Sequence, residues 1–144
     1  MHLPWYVTAL GAALVWGIHY PLVDHALKRF SLTGVLLLTA LPILALPFVT
    51  RGVDADLATL RAMSWSERVP ILALALTSLA GSVLLYLSIS GKNATLASLI
   101  EITYPVFVVL FAFLLFRQMN LNASVLIGAG LVFAGVAVIV LGNP

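Results

Sequence analysis

Apolar residues along this chain fall into five long runs separated by brief polar interruptions. Each run has about the 17–25 residues that a membrane-crossing helix needs. The first covers about residues 3–27, with Trp5 and Tyr6 as interfacial anchors at its start and Lys28-Arg29 closing it. The second covers about 31–50, where Pro42 and Pro47 are expected to kink it or thin its second half. The third covers about 65–90, the fourth about 93–116 and the fifth about 122–141. This pattern predicts an all-α integral membrane protein, a bundle of five transmembrane helices with its N- and C-termini on opposite sides. The 144 residues read as one domain.

The connections carry their own signals. Residues 51–69 form the one long polar link, where Asp54 and Asp56 are N-cap candidates for a short amphipathic turn bearing Leu57, Leu60 and Met63. Ser64 and Glu67 have the spacing of a capping box that opens the third helix. Gly91-Lys92-Asn93 reads as a tight reversal, with Gly91 at the left-handed position after a helix and Asn93 capping the next. Asn93-Ala-Thr95 and Asn122-Ala-Ser124 match the glycosylation sequon, but both open helices against the membrane and are read as caps. The first run lacks a basic leader and is too long for a signal peptide, so it reads as a retained helix. Short loops favour antiparallel packing of successive helices.

Composition agrees with this reading. Hydrophobic residues make up 62% and charged residues 8% of the chain, against about 25% charged in soluble domains. There is no cysteine, which excludes disulfides, thiolate sites and a Cys nucleophile. The net charge of +2 forms no basic stripe, so no nucleic-acid partner is expected. The Asp, Glu and His residues follow no metal-ligand spacing and form no nucleophile–base pair, so neither a metal, a cofactor nor an enzyme is expected. With the N-terminus on side A, Arg51, Arg61, Arg68 and Arg117 fall on A and Lys28, Arg29 and Lys92 on B. Four against three is almost no orientation bias. Such a chain can insert both ways, and two opposed copies would build an inverted repeat; the small excess on A could equally fix a single orientation.

Glu101 stands out as a lone carboxylate inside the fourth run. An ionisable group at depth costs at least about 2.5–3.5 kcal/mol, so it faces protein interior or a wet cavity. It lies about 12 Å in from side B, at about 1.5 Å per residue, and His19 in the first helix lies at about the same depth. If both face inward they can share a proton or an ion pair. Ser98 and Tyr104 fall on the face of Glu101, and Pro105 lacks the N–H that would otherwise bond the Glu101 carbonyl. Tyr20-Pro21 repeats the aromatic–proline pair, with Trp16 one turn earlier. Each residue also has a plainer reading. Glu101 as a protonated structural anchor, His19 bonded to a backbone carbonyl, and Trp16 and Tyr20 as packing all fit the sequence. Asp24 and His25, near the boundary, reach headgroups or water.

The stretches Ala97–Phe116 and Leu126–Val136, with Trp16-Gly-Ile-His-Tyr-Pro21, resemble the EamA-like domain of the drug/metabolite transporter superfamily. The resemblance covers essentially the whole chain. Most members carry two five-helix halves, so it implies a half-sized subunit that pairs, as the four-helix small multidrug resistance relatives do in antiparallel dimers. It implies a multi-pass protein of the inner (plasma) membrane that moves a small molecule by alternating access, with proton coupling as one option. Trp16, His19, Tyr20, Ser98, Glu101 and Tyr104 are the expected substrate- or proton-binding residues. Relatives dimerise through the final helix, where Gly128, Gly130, Ala134 and Gly135 offer small-residue faces for the contact. One departure stands at Arg117-Gln118, where the family has Gly-Glu. A non-transporting scaffold subunit, a passive facilitator and a detached half of a tandem protein are the alternatives.

Overall fold

The computed structural model describes residues 4–49, 53–118 and 122–143. Seven helices are assigned among them: α1 (Trp5–Leu27), α2 (Leu32–Val49), α3 (Val53–Ala62), α4 (Trp65–Gly91), α5 (Ala94–Glu101), α6 (Tyr104–Phe116) and α7 (Ala123–Gly142). Five stretches are long and apolar enough to cross a membrane: α1, α2, α4, the α5–α6 stretch and α7. The predicted class is therefore borne out, an all-α protein with five membrane-length helical spans. Leu3 and Thr50, at the ends of the first two runs, and Arg51, counted on side A, lie outside the described residues, as does the side chain of Trp5.

Local chemistry explains most boundaries. The Oδ1 atoms of Asn93 and Asn122 accept the backbone N–H groups of Leu96 and Val125 at 2.8 and 2.9 Å. Both sequon asparagines thus act as N-caps, each satisfying an orphan donor of the first turn. At α4 the Ser64 N–H donates to the Glu67 carboxylate at 2.7 Å, the half of a capping box that the spacing predicts. Arg68 reaches back to donate to the carbonyl of Arg61 at 2.9 Å, tying the start of α4 to the last turn of α3.

Three local expectations need correction. Asp54 and Asp56 lie inside the first turn of α3 and are not its cap; there they still complement the positive end of the helix. Gly91 ends α4 without a left-handed φ, because the extended backbone of Asn93 (φ −174°, ψ 166°) makes the reversal. The fourth run is two helices, α5 and α6, parted at Ile102-Thr103. By contrast, α2 is assigned continuously through Pro42 and Pro47.

Backbone contacts group the chain into two compact units, Met1–Gly91 and Lys92–Pro144. In the first unit α1, α2 and α4 pack on one another. Its buried apolar residues are Val23 of α1, Val35 of α2 and Tyr86 and Ile89 of α4, the last only 1% exposed. All lie near the ends of their helices that meet the 28–31 turn and Gly91, so the unit is tightest there. Between lipid-facing helices this packing is held by van der Waals contact rather than by expulsion of water. In the second unit α7 packs on α5. The partly covered residues of α7 are Val125, Ala129, Val132, Val136 and Ile139, a four–three spacing that draws one narrow stripe.

Candidate functional site

In the first unit a polar layer sits directly inside the apolar floor. His19 is one turn from Val23, Thr39 one turn from Val35, and Tyr86 three residues from Ile89. The three side chains meet: His19 Nε2 is 3.3 Å from the Tyr86 hydroxyl, which donates to Thr39 Oγ1 at 3.3 Å. The Thr39 hydroxyl donates to the Leu36 carbonyl at 3.0 Å. A residue from each of α1, α2 and α4 is thereby linked at one level. Tyr86 is buried, whereas His19 and Thr39 are half-buried. Trp16 stands edge-on to His19, with ring centroids 5.1 Å apart and planes at 89°. Tyr20 is also near Trp16, at 6.0 Å between ring centroids. Trp16, His19 and Tyr20 are thus neighbours, and Trp16 keeps half of its surface exposed. Asp24 is spent on a salt bridge to Lys28, 2.9 Å away.

The second unit presents Glu101 as the last residue of α5, at the helix break. Pro105, in the first turn of α6, is the cause: it has no N–H for the Glu101 carbonyl, and inside a continuous helix its ring would collide with that carbonyl. The chain bridges the gap in tight turns. Thr103 N–H bonds the Ile100 carbonyl at 3.2 Å and Val106 N–H bonds the Thr103 carbonyl at 3.0 Å. The Thr103 hydroxyl also donates to the Ile100 carbonyl, at 3.0 Å. Ile102 and Thr103 stay in right-handed turn conformations, so hydrogen bonding is interrupted without a reversal of the chain.

On α5 Ala94, Ala97, Ser98 and Glu101 form one covered face, the two alanines buried and Ser98 and Glu101 half-buried, with Leu96 partly covered on the other side. Ser98 donates to the Thr95 carbonyl of its own helix at 3.0 Å. Tyr104 opens α6 and is 59% exposed, which separates it from the covered face that the spacing assigned it. Glu101 and Tyr104 thus lie on separate helices, whereas that spacing assumed one continuous helix. His19 belongs to the first unit and Glu101 to the second.

At its far end α6 stops on Arg117, the one non-glycine residue with positive φ (56°) among the described residues. Its N–H donates to the Phe113 carbonyl at 2.9 Å, and its guanidinium lies 5.7 Å from the Phe113 ring centre. A left-handed terminus is where glycine is least strained. This accounts for the glycine that the resemblance expects at 117.

The four small residues of α7 lie off its covered stripe and are exposed. A Cβ added at Gly128, Gly130 or Gly135 would meet no atom within 4 Å. At about 100° per residue they do not share one face. Gly130 and Ala134 lie about 160° from the stripe, and Gly128 and Gly135 about 70° to its other side. Among the described residues no group of three or more His, Cys, Asp or Glu side chains is placed to hold a metal ion.

Tyr86 and Thr39 escape a reading of the sequence. Neither is the only uncharged polar residue of its helix, and a membrane-helix threonine usually bonds its own backbone. The signal was the shared depth of three polar residues on three helices, and it becomes informative only once the helices are paired.

Comparison with curated proteins and with solved structures finds no match. The model of the EamA-like transporter family matches residues 3–141, which take in all five candidate spans but for Gly142 at the end of the last. The Trp-Gly start, the Tyr-Pro break and the glycine-bearing last helix all fall within that match. The chain belongs to the EamA-like transporter family.

Proposed function

We propose that this chain is a transporter subunit of the drug/metabolite type. It moves a small metabolite or an amphipathic or cationic compound across the inner (plasma) membrane by alternating access, as an antiparallel homodimer. One observation carries the reading: a carboxylate ends the first of two helices that make up one membrane-length apolar stretch, beside a proline-made break. Broken helices of this kind are tolerated in membranes where they line a cavity or lie buried in protein. The carbonyl end of α5 and the Glu101 side chain put negative charge at one level, which suits a proton or a cationic group. Glu101 is the coupling residue, with His19, Trp16 and Tyr20 on the first unit and Ser98 beside it on α5. Gly130 and Ala134, opposite the covered stripe of α7, make the contact between subunits.

Transport into liposomes over a range of internal and external pH tests this. Glu101→Gln should abolish the pH dependence; normal transport with an unchanged profile would remove Glu101 as the coupling site. Cysteines placed at Lys28 and Arg117, labelled from each side of intact cells, test the dimer. Both sites should label from both sides, and labelling from one side alone would exclude the symmetric antiparallel arrangement.

A further inference from the structure

The polar layer of the first unit has a direction. A carbonyl oxygen accepts hydrogen bonds and cannot donate them. At the Leu36 end, Thr39 must therefore supply its only proton. Its oxygen is then left to accept, so the Tyr86 proton points to Thr39. With that proton committed, the phenol oxygen can only accept from His19, across the 3.3 Å contact with Nε2. Each step follows from the one before, beginning at a backbone group whose role cannot change.

We infer that Thr39 and Tyr86 are positioning residues that hold His19 as its Nε2–H tautomer, leaving Nδ1 as the atom that takes up and releases a proton. Protonation at Nδ1 gives an imidazolium that still donates from Nε2, so the charge changes without breaking the link between α1, α2 and α4. The proton must leave by Nδ1 as well. The Leu36 carbonyl cannot pass a proton on, so the chain of hydroxyls is an anchor and not a wire. Among the described residues of this unit no other charged group competes at this level. The α2 stretch Leu32–Val49 contains no charged or titratable residue. On α4 Tyr86 is the ionisable neighbour, while Glu67 and Arg68 lie about 28 Å away along the helix. On α1, Asp24 is held by Lys28 and is turned about 140° from His19. Tyr20 and His25 are its remaining ionisable residues near this level, and the neighbour against the imidazole is Trp16.

The use of this proton in coupling rests on the transport reading above, whereas the tautomer does not. The test is nitrogen-15 NMR of the full chain in lipid bilayers, with His2→Gln and His25→Gln leaving His19 as the single histidine. Neutral His19 should show a protonated Nε2 and an unprotonated Nδ1. Thr39→Val removes the acceptor of the Tyr86 proton and lets that phenol donate to His19, so the tautomer should flip to Nδ1–H. Thr39→Ser should restore the wild-type signal, and adding Tyr86→Phe to Thr39→Val should remove the flip. A neutral Nδ1–H form in the wild type, or a Thr39→Val spectrum unchanged from it, overturns the inference. Transport assays run alongside separate the two claims. A shifted pH profile in Thr39→Val, restored in Thr39→Ser, supports both. A tautomer flip in a protein that moves nothing supports the positioning role and counts against the transporter.

Discussion

Replacing Pro105 with alanine should heal the break beside Glu101. The substitution supplies the missing N–H four residues after the Glu101 carbonyl and removes the ring that would collide with it. Proline in a helix interior costs about 3 kcal/mol relative to alanine. Here most of that is already avoided, because Pro105 sits in the first turn of α6, where its N–H would lack a partner. The gain is therefore close to one backbone hydrogen bond, about 1 kcal/mol. Reversible unfolding in mixed detergent micelles should show that increase. In Pro105→Ala, amide exchange should be slow at the new N–H of position 105 and at its neighbours, as residues 94–116 become one helix. Transport should fall at the same time, since the turn at Ile102-Thr103 is what ends α5 at Glu101. A more stable protein with full transport would show that the break is dispensable. Fast exchange at position 105 with unchanged stability would refute proline as its cause.

Arg117→Gly should raise stability by about 1 kcal/mol in the same unfolding assay: relief of the left-handed residue, about 1–2 kcal/mol, exceeds loss of the Phe113 cation–π contact, about 0.5 kcal/mol. Asn93→Ala and Asn122→Ala should each cost about 1 kcal/mol, and the double variant should show the sum to within about 0.5 kcal/mol, because the caps share no partner. Ile89→Ala should cost about 2–4 kcal/mol by opening the buried floor of the first unit, whereas Tyr86→Phe should cost about 1 kcal/mol. A larger loss from Tyr86→Phe than from Ile89→Ala would mean that the polar layer, more than the dry one, holds the three helices together.

Much of this was legible in the residues. The five spans follow from run length alone, and Asn93, Asn122 and the Ser64–Glu67 pair were found from spacing because a cap is a local device. Glu101 was conspicuous because a carboxylate among apolar residues needs a reason to be there. Two things were hidden for different physical reasons. Tyr104 is assigned to the face of Glu101 by a periodicity that extrapolates one regular helix, and the break beside Pro105 parts the two residues. Tyr86 and Thr39 were missed because their partners lie 67 and 47 residues apart along the chain, a separation that no local pattern spans.

The short helix between Asn93 and Glu101 has one last consequence. Its start is pinned by a cap and its end by a proline, so its length works as a fixed gauge for the carboxylate. One inserted residue would move Glu101 only about 1.5 Å further in but swing it by about 100°, off the face shared with Ala94 and Ala97. Three, four or seven residues would keep the face and change the depth by about 5–10 Å. Angle and depth thus cannot be retuned separately in this segment. Changes in the acid's surroundings must come from the helices that face it.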